Sequence, residues 1–265
     1  MKDKIEICLN SILLSDADKS QYEVIVFDSS NDGSEIVLKD YATKFENLKI
    51  IKSQFKVGCG TARNNAVKYA TGDYVYCVDI DDKLFDGALP KILDKLDGTI
   101  DIYFCPYRTL KTNQDIFLKP KTITEFACSC PVGTMGKLYK RSLYVNQPDY
   151  MPEDVTPHYI LVDRCKTVGY FDFLVYEYDN RNEHLSAISR TFDYLKTHPS
   201  NLITLAANNH LQQLGLRDEY IVGVIKNLGD MYALRNSFKN QDVKNAFMQR
   251  FYHTYQNFMS GIYVH

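Results

Sequence analysis

The sequence predicts an α/β fold, a mostly parallel sheet flanked by helices, with a helical appendage at the carboxyl end. Three observations carry that expectation. Short apolar, β-branched runs recur between segments of helical period over residues 1–107, which is the rhythm of βαβ units. Acidic residues collect where two of those strands end, at Asp28 and at Asp79-Ile80-Asp81-Asp82, the edge on which such sheets gather ligands. Beyond residue 190 the period is helical almost to the end.

Each element follows in order. Ile5, Cys8, Leu9, Ile12 and Leu13 recur at helical spacing with Glu6 and Asn10 between them, so the start reads as an amphipathic core helix rather than a signal peptide. Strand 23–28 comes next, then a helix over 32–45 that opens on the turn and cap residues Asp32-Gly33-Ser34. Strand 48–52, helix 61–70, strand 74–79, helix 87–96 and strand 101–107 continue the alternation. From 108 to 190 the rhythm changes. It predicts a hairpin, a loop around Pro131-Val132-Gly133, a short helix near Lys137, a helix over 153–167 and a strand over 171–178. Helices near 201–214, 218–235 and 242–259 complete the chain. Tyr252, Tyr255 and Phe258 lie at helical spacing in the last of them and read as core. The expected division is one domain over 1–190, with a half over 1–107 and a half over 108–190, and a helical region over 191–265.

With 265 residues, 45% of them hydrophobic and 24% charged, the chain has enough apolar material for a large core. A net charge of −2 gives no basic field to collect nucleic acid. Seven cysteines, scattered and odd in number, argue against a secreted disulfide framework and for a reducing cytoplasm. Cys128-Ser129-Cys130 lacks the spacing of a structural zinc site. No apolar run has the length needed to cross a bilayer.

The chemistry concentrates in two stretches. Asp73-Tyr74-Val75-Tyr76-Cys77-Val78-Asp79-Ile80-Asp81-Asp82 is an alternating strand that delivers three carboxylates onto one turn. A solvated turn produces the same pattern, so its weight comes from upstream. There Gly58-Cys59-Gly60-Thr61-Ala62-Arg63 is a glycine-bearing turn that opens a helix, with a guanidinium one turn in. Phosphate-friendly backbone, an arginine and clustered carboxylates together suggest a nucleoside diphosphate held with a divalent cation.

In order and spacing these segments resemble the family-2 inverting glycosyltransferases, whose Rossmann-like nucleotide-binding fold is called GT-A. The resemblance runs through residues 6–13, through 22–34, and through Gly60-Thr61-Ala62-Arg63-Asn64. It continues in Ala70-Thr71-Gly72-Asp73-Tyr74 and Val78-Asp79-Ile80-Asp81-Asp82, and ends at Glu153-Asp154. It implies Asp28 as a contact to the nucleotide base and Arg63 as a contact to base or diphosphate. Asp79 and Asp81 match the family's Asp-x-Asp, which holds ribose and a divalent metal, Mn2+ or Mg2+. Asp154 matches the general base; its alternative is a carboxylate favoured at a helix amino terminus. Arg181, His184, Ser186 and Ser189 resemble the segment that closes the donor site, with His184 as a third metal ligand, a diphosphate contact, or a solvated loop histidine.

The implied partners are a nucleotide-sugar donor, a uridine one, and a glycan or lipid-linked acceptor in surface polysaccharide synthesis. A cytoplasmic enzyme, peripheral at the inner face of the membrane, and an association of like copies are compatible with this. Two departures stand out. Family members begin with an apolar strand that lies between the strands matched here by 23–28 and 74–79, whereas this sequence starts at the following helix. Without that strand, rows of backbone groups face a gap, each unpaired buried group costing on the order of 1–3 kcal/mol. The expectation is that an upstream segment fills the gap, that the flanking strands pair directly, or that another chain does so. The second departure is Ser29, where the family has a second Asp. The missing strand motivates a competing reading, a truncated, non-catalytic relative serving as an interaction module.

Overall fold

The computed structural model describes residues 2–55, 57, 59–131, 135–144, 161–181, 232, 235–236 and 238–263. Its element order is α1 (Lys2–Leu13), β1 (Val24–Asp28), α2 (Ser34–Lys44), β2 (Leu48–Lys52), α3 (Cys59–Lys68), β3 (Tyr74–Tyr76), β4 (Lys83–Leu84) and α4 (Ala88–Lys95). There follow β5 (Ile102–Phe104), β6 (Tyr107–Thr109), β7 (Gln114–Ile116), α5 (Ile123–Ser129), β8 (Lys137–Lys140), α6 (Arg141–Tyr144), β9 (Val168–Tyr170), β10 (Tyr176–Tyr178) and α7 (Gln241–Tyr263). The chain divides into two compact units. One comprises Met1–Thr122, Thr134–Met151 and Cys165–Arg181, and the other Ile123–Gly133, Pro152–Arg164 and Asn182–His265.

In the first unit the predicted α/β alternation is present, and every expected helix and strand through residue 96 has its counterpart. The apolar stripe of α1 buries Ile5, Leu9 and Leu13 with Val37 and Leu38 of α2 and Leu48 of β2, so the helix period becomes one side of a core. Gly33 precedes α2 in the left-handed conformation (φ 86°) that a side chain disfavours, and the Asp32 carboxylate accepts the Ser34 N–H at 3.1 Å.

Strand pairing is mixed rather than mostly parallel. Among the described residues the parallel pairs are β1 with β2, β5 with β9 and β10 with β6, and four pairs are antiparallel. The sheets read β1-β2, β4-β10-β6-β7 and β3-β8-β5-β9. The predicted strand 101–107 is broken into β5 and β6, which join different sheets. Pro106, which has no N–H to give a ladder, lies at the break. Of the expected strand 171–178 only 176–178 is strand, as β10, and β9 lies before it at 168–170.

The short helix expected near Lys137 is instead strand β8, sandwiched between β3 and β5 with Lys137, Leu138 and Tyr139 all buried. Burial on both faces removed the alternation that marks a half-exposed strand. The helix follows as α6. Gly169 of β9 sits where an added Cβ would lie 2.9 Å from the Tyr103 ring, which stacks on Phe171 at 4.9 Å.

Direct pairing of the two flanking strands, one of the expected outcomes, is not what the structure shows. Among the described residues β1 is laddered to β2 alone and β3 to β8 alone, so the two strands do not pair directly. Val24 to Phe27 and Tyr74 to Tyr76 are accordingly only half-buried, although their residue types suit a core. Their entrances are tied by one side chain. Glu23 Oε1 accepts the Thr71 N–H (2.5 Å), the Thr71 hydroxyl (2.8 Å) and the Gly72 N–H (3.1 Å).

In the second unit, α5, a helical turn over 161–164 and α7 bury Phe126, Leu161, Val162, Val243 and Phe247. Asn240 caps α7 by accepting the Asp242 N–H at 2.9 Å, and Asp163 accepts the N–H groups of Lys239 and Asn240. The helix expected over 242–259 is therefore present, with a different core face. Val243, Ala246, Phe247 and Phe251 form it, whereas Tyr252 is rotated off that stripe and exposed, and Tyr255, stacked on Phe251, is 43% exposed. The side chain of Phe258 and the helices expected at 201–214 and over most of 218–235 lie outside the described residues. No described helix is long and apolar enough to cross a membrane. The described cysteines form no disulfide.

Candidate active site

The candidate site occupies the carboxyl-end edge of β1, β2 and β3 in the first unit. Strand β3 stops at Tyr76, opposite Leu138 of β8. The chain then leaves the ladder and runs through 77–82, closing with the Asp82 N–H donating to the Asp79 carbonyl at 3.0 Å. Three carboxylates share this turn and have three different environments.

Asp79 is 38% exposed at its side chain, and its Oδ1 accepts from Arg63 Nη2 at 2.6 Å. Arg63 projects from α3 and is largely buried. Burial works against its charge, and its neighbours, Asp79 foremost with Cys59 and Cys77 behind it, together prevail, holding the guanidinium well above its ordinary pKa. Its second terminal nitrogen, Nη1, is buried with no hydrogen-bond partner. A buried cationic donor left over is an acceptor's site.

Asp81 is half-buried, and burial, with Asp79 beside it, raises its carboxyl pKa. Asp82 is 2% exposed. It accepts the Tyr176 hydroxyl at one oxygen and the Asp179 N–H at the other, at 2.7 Å. Burial pushes it up to about 7 despite those bonds, with Asp79 and Asp81 adding to the effect.

The fit to a divalent cation rests on this charge pattern. Asp79 and Asp81 offer oxygen ligands on one turn, and the charge of Asp81 is disfavoured there by burial, which a hard cation would relieve. Among the described residues no three His, Cys, Asp or Glu side chains converge on one point. Such an ion would take the rest of its shell from diphosphate and water, as Mg2+ commonly does.

Asp28 ends β1, 6% exposed. One oxygen accepts from the Ser30 N–H (2.8 Å) and hydroxyl (2.6 Å), and the other from Lys52 Nζ at 2.9 Å. Burial opposes its charge, and these bonds prevail, holding its pKa below the ordinary value. Lys52 ends β2 directly across the parallel register from Asp28 and also donates to the Ser30 carbonyl at 2.6 Å. Ser29 turns its hydroxyl to the Val57 carbonyl at 3.4 Å. Beside them lies a polar cavity of about 340 Å³ whose lining includes Ser30, Asn31, Glu35 and Lys52, and Glu35 Oε2 is buried there without a partner.

The structure thus brings Arg63, Asp79 and Asp81 together and places Asp28 on the same unit, already engaged. Asp154, Glu153, His184, Ser186 and Ser189 lie outside the described residues. Arg181 is described: it grips Asp179 with two nitrogens at 2.9 and 3.1 Å, and Lys4 Nζ stands 3.5 Å from the same carboxylate. Those contacts hold Asp179 down at about 2, the Arg181 bond being the largest influence. Sequence reasoning missed Tyr176, Asp179 and Lys52. The last was accessible, since two parallel strands expected to end at Asp28 and Lys52 put opposite charges side by side. Tyr176 had no signal, because its role depends on the fold bringing β10 beneath the turn.

Comparison with known proteins agrees with this geometry. The sequence pattern described as Glycosyl transferase family 2 matches residues 2–155. The chain is 26% identical over 223 residues to the minor teichoic acid biosynthesis protein GgaB of Bacillus subtilis (strain 168), covering 75% of this chain and 24% of that protein. It is 39% identical over 90 residues to the poly(ribitol-phosphate) beta-glucosyltransferase of Bacillus spizizenii, covering 33% of this chain and 14% of that one. The chain therefore spans a quarter or less of the length of these relatives. Among solved structures, S. aureus TarS 1-349 in complex with UDP-GlcNAc superposes with a TM-score of 0.61 at 17% identity, over 97% of this chain and 85% of that one. That likeness shows the fold, the GT-A arrangement.

Proposed function

Because the chain belongs to glycosyl transferase family 2, we propose that its acidic edge holds a nucleoside diphosphate sugar, a UDP-sugar, and that the protein transfers the sugar with inversion to a glycan or lipid-linked acceptor in surface polysaccharide synthesis. One observation carries this reading. Arg63 has a buried, unpartnered nitrogen beside the turn on which Asp79 and Asp81 stand, an arrangement that lacks a polyanion with its counter-cation. The printed names of the relatives, which concern teichoic acid and poly(ribitol phosphate), support the substrate class. The UDP-GlcNAc bound by the structural neighbour supports the donor.

In this reading Arg63 Nη1 donates to the donor, and Asp79 orients Arg63 while it shares ribose and cation contacts. Asp79 and Asp81 hold Mn2+ or Mg2+, which when bound would neutralise charge developing on the diphosphate. His184 is a third ligand or a diphosphate contact. The acceptor hydroxyl oxygen forms its bond to the anomeric carbon as the bond from that carbon to the β-phosphate oxygen breaks. The electron pair leaves with UDP, and the hydroxyl proton passes to the Asp154 carboxylate. The protein works in the cytoplasm, at the inner face of the membrane. A second reading, a relative that keeps the fold and serves as an interaction module, is favoured by the carboxylate of Asp28, which is already committed to Lys52 and Ser30.

Titrating UDP by calorimetry, with and without Mn2+, separates the two. Metal-dependent binding that disappears in Asp81→Asn is expected; absent or metal-indifferent binding leaves only the module. Asp154→Asn is expected to keep UDP binding and lose transfer from UDP-GlcNAc, and unchanged transfer would remove Asp154 as base.

A further inference from the structure

We infer that the hydroxyl of Tyr176 and the carboxylate of Asp82 form a clamp that fixes the turn 79–82, which makes Tyr176 a positioning residue for the two carboxylates facing the donor. The inference rests on the functional reading above and adds to it. It starts from how little else holds the turn. Between the end of β3 and the start of β4 the main chain has left both ladders, and within the turn one backbone bond, Asp82 N–H to Asp79 carbonyl, is made.

Arg63 holds the Asp79 side chain at 2.6 Å and the Cys8 thiol donates to the Asp79 carbonyl at 3.6 Å; Tyr176 adds the tie from below that spans the turn. Its ring is fully buried, edge-on to Tyr76 at 6.0 Å, so the phenol has one position. Its oxygen accepts the Asp79 N–H at 3.2 Å while its proton goes to Asp82 Oδ2. One hydroxyl serves as acceptor and donor at once, and so ties the first residue of the turn to the last. Asp82 Oδ1 takes the Asp179 N–H, which fastens the turn to the end of β10 as well.

Both oxygens of Asp82 are thereby engaged from the protein side, and it is a strut rather than a ligand. Asp79 and Asp81 are left more exposed on the same turn. Without the phenolic oxygen, a backbone N–H and a carboxylate oxygen lose their buried partner and the turn relaxes to find others. The cost then falls on whatever the two remaining carboxylates hold.

The test is calorimetry on the full chain with UDP as probe, with and without Mn2+, for wild type, Tyr176→Phe, Asp82→Asn and the double variant. Phenylalanine keeps the ring and removes the hydroxyl alone. The factor by which Mn2+ tightens UDP is expected to fall about tenfold in Tyr176→Phe, about the worth of one buried hydrogen bond, while metal-free UDP binding stays within about twofold. The double variant is expected to lose no more than the worse single one, because the two groups act as a unit.

Equal weakening with and without the metal marks a general loss of structure and overturns the clamp, as does an unchanged metal effect. If Tyr176→Phe does not fold, Asp82→Asn carries the same comparison with the same deciding outcomes. Wild type whose UDP binding ignores Mn2+ overturns the metal reading and the clamp together. Wild type that responds, with variants that respond equally, overturns the clamp alone.

Discussion

Glu23 should be worth far more than a surface carboxylate, because it is the tie across the break between β1 and β3. Its single oxygen Oε1 takes three donors from Thr71 and Gly72. Burial opposes its charge, and the bonds from Thr71 and Gly72 outweigh it, leaving the pKa lowered. A bond to a charged acceptor is worth about 1.5–3 kcal/mol when buried and a neutral one about 0.5–1.5. Three donors crowding one partly exposed oxygen cannot each contribute in full. Glu23→Gln, which keeps an acceptor and removes the charge, should therefore cost about 1 kcal/mol, and Glu23→Ala about 2 kcal/mol. The assay is urea unfolding at pH 7 and at pH 3. A group whose folded pKa lies below its unfolded one stabilises fully above the unfolded value and loses that contribution as pH falls through the folded value. The gap between wild type and Glu23→Gln should be full at pH 7 and narrower at pH 3. A gap below about 0.3 kcal/mol at pH 7, or one that does not narrow at all at the lower pH, would show that the tie is incidental.

Other expectations are as direct. Asp28→Asn should lower stability by about 1–2 kcal/mol, since Lys52 and Ser30 lose a charged acceptor, while moving UDP affinity less than Asp81→Asn does; calorimetry and melting curves on the two variants decide the order. Gly169→Ala drives a methyl to 2.9 Å from the Tyr103 ring and should destabilise by about 1–3 kcal/mol, read from denaturant midpoints. Asp179, held at about 2 by Arg181 and Lys4, should titrate there by carboxyl 13C NMR and move back up in Arg181→Gln. Its stabilising contribution is present above the unfolded carboxyl range and is lost as pH falls toward 2.

The elements that were legible in sequence are those with one face in a core and one in water. Helix α1 announced itself through Ile5, Cys8, Leu9 and Leu13, and β1 and β2 through apolar runs ending in charge. Elements buried on both faces or broken in mid-run were not. Lys137 to Lys140 carries lysines at both ends, which reads as surface, yet it forms the strand between β3 and β5. Residues 101–107 read as one strand in sequence and belong to two in space, because Cys105 and Pro106 lie between β5 and β6. At the site, Arg63, Asp79 and Asp81 were recognisable by order and spacing. The Asp82 strut was not, since its acceptor role is decided by a tyrosine 94 residues away.

The two halves of the donor edge differ in what they lack. At the ends of β1 and β2 Asp28 is already satisfied: it has Lys52, Ser30 and a lowered pKa, and its bonds would have to be exchanged for any base to use it. At the end of β3 the charges are incomplete: Arg63 keeps an unpartnered buried nitrogen, and Asp81 is a carboxylate whose surroundings resist its charge. Binding free energy arises where the free protein leaves groups unsatisfied and a ligand satisfies them. Under the proposed function, a diphosphate with a cation, rather than the base, should therefore supply most of the grip on a nucleotide sugar. The strength of that grip depends on a turn whose geometry is fixed from behind by a buried phenol. A chain selected only to present a surface to a partner has no physical reason to keep a buried arginine half-paired beside two carboxylates; a chain that must seize and release a pyrophosphate does.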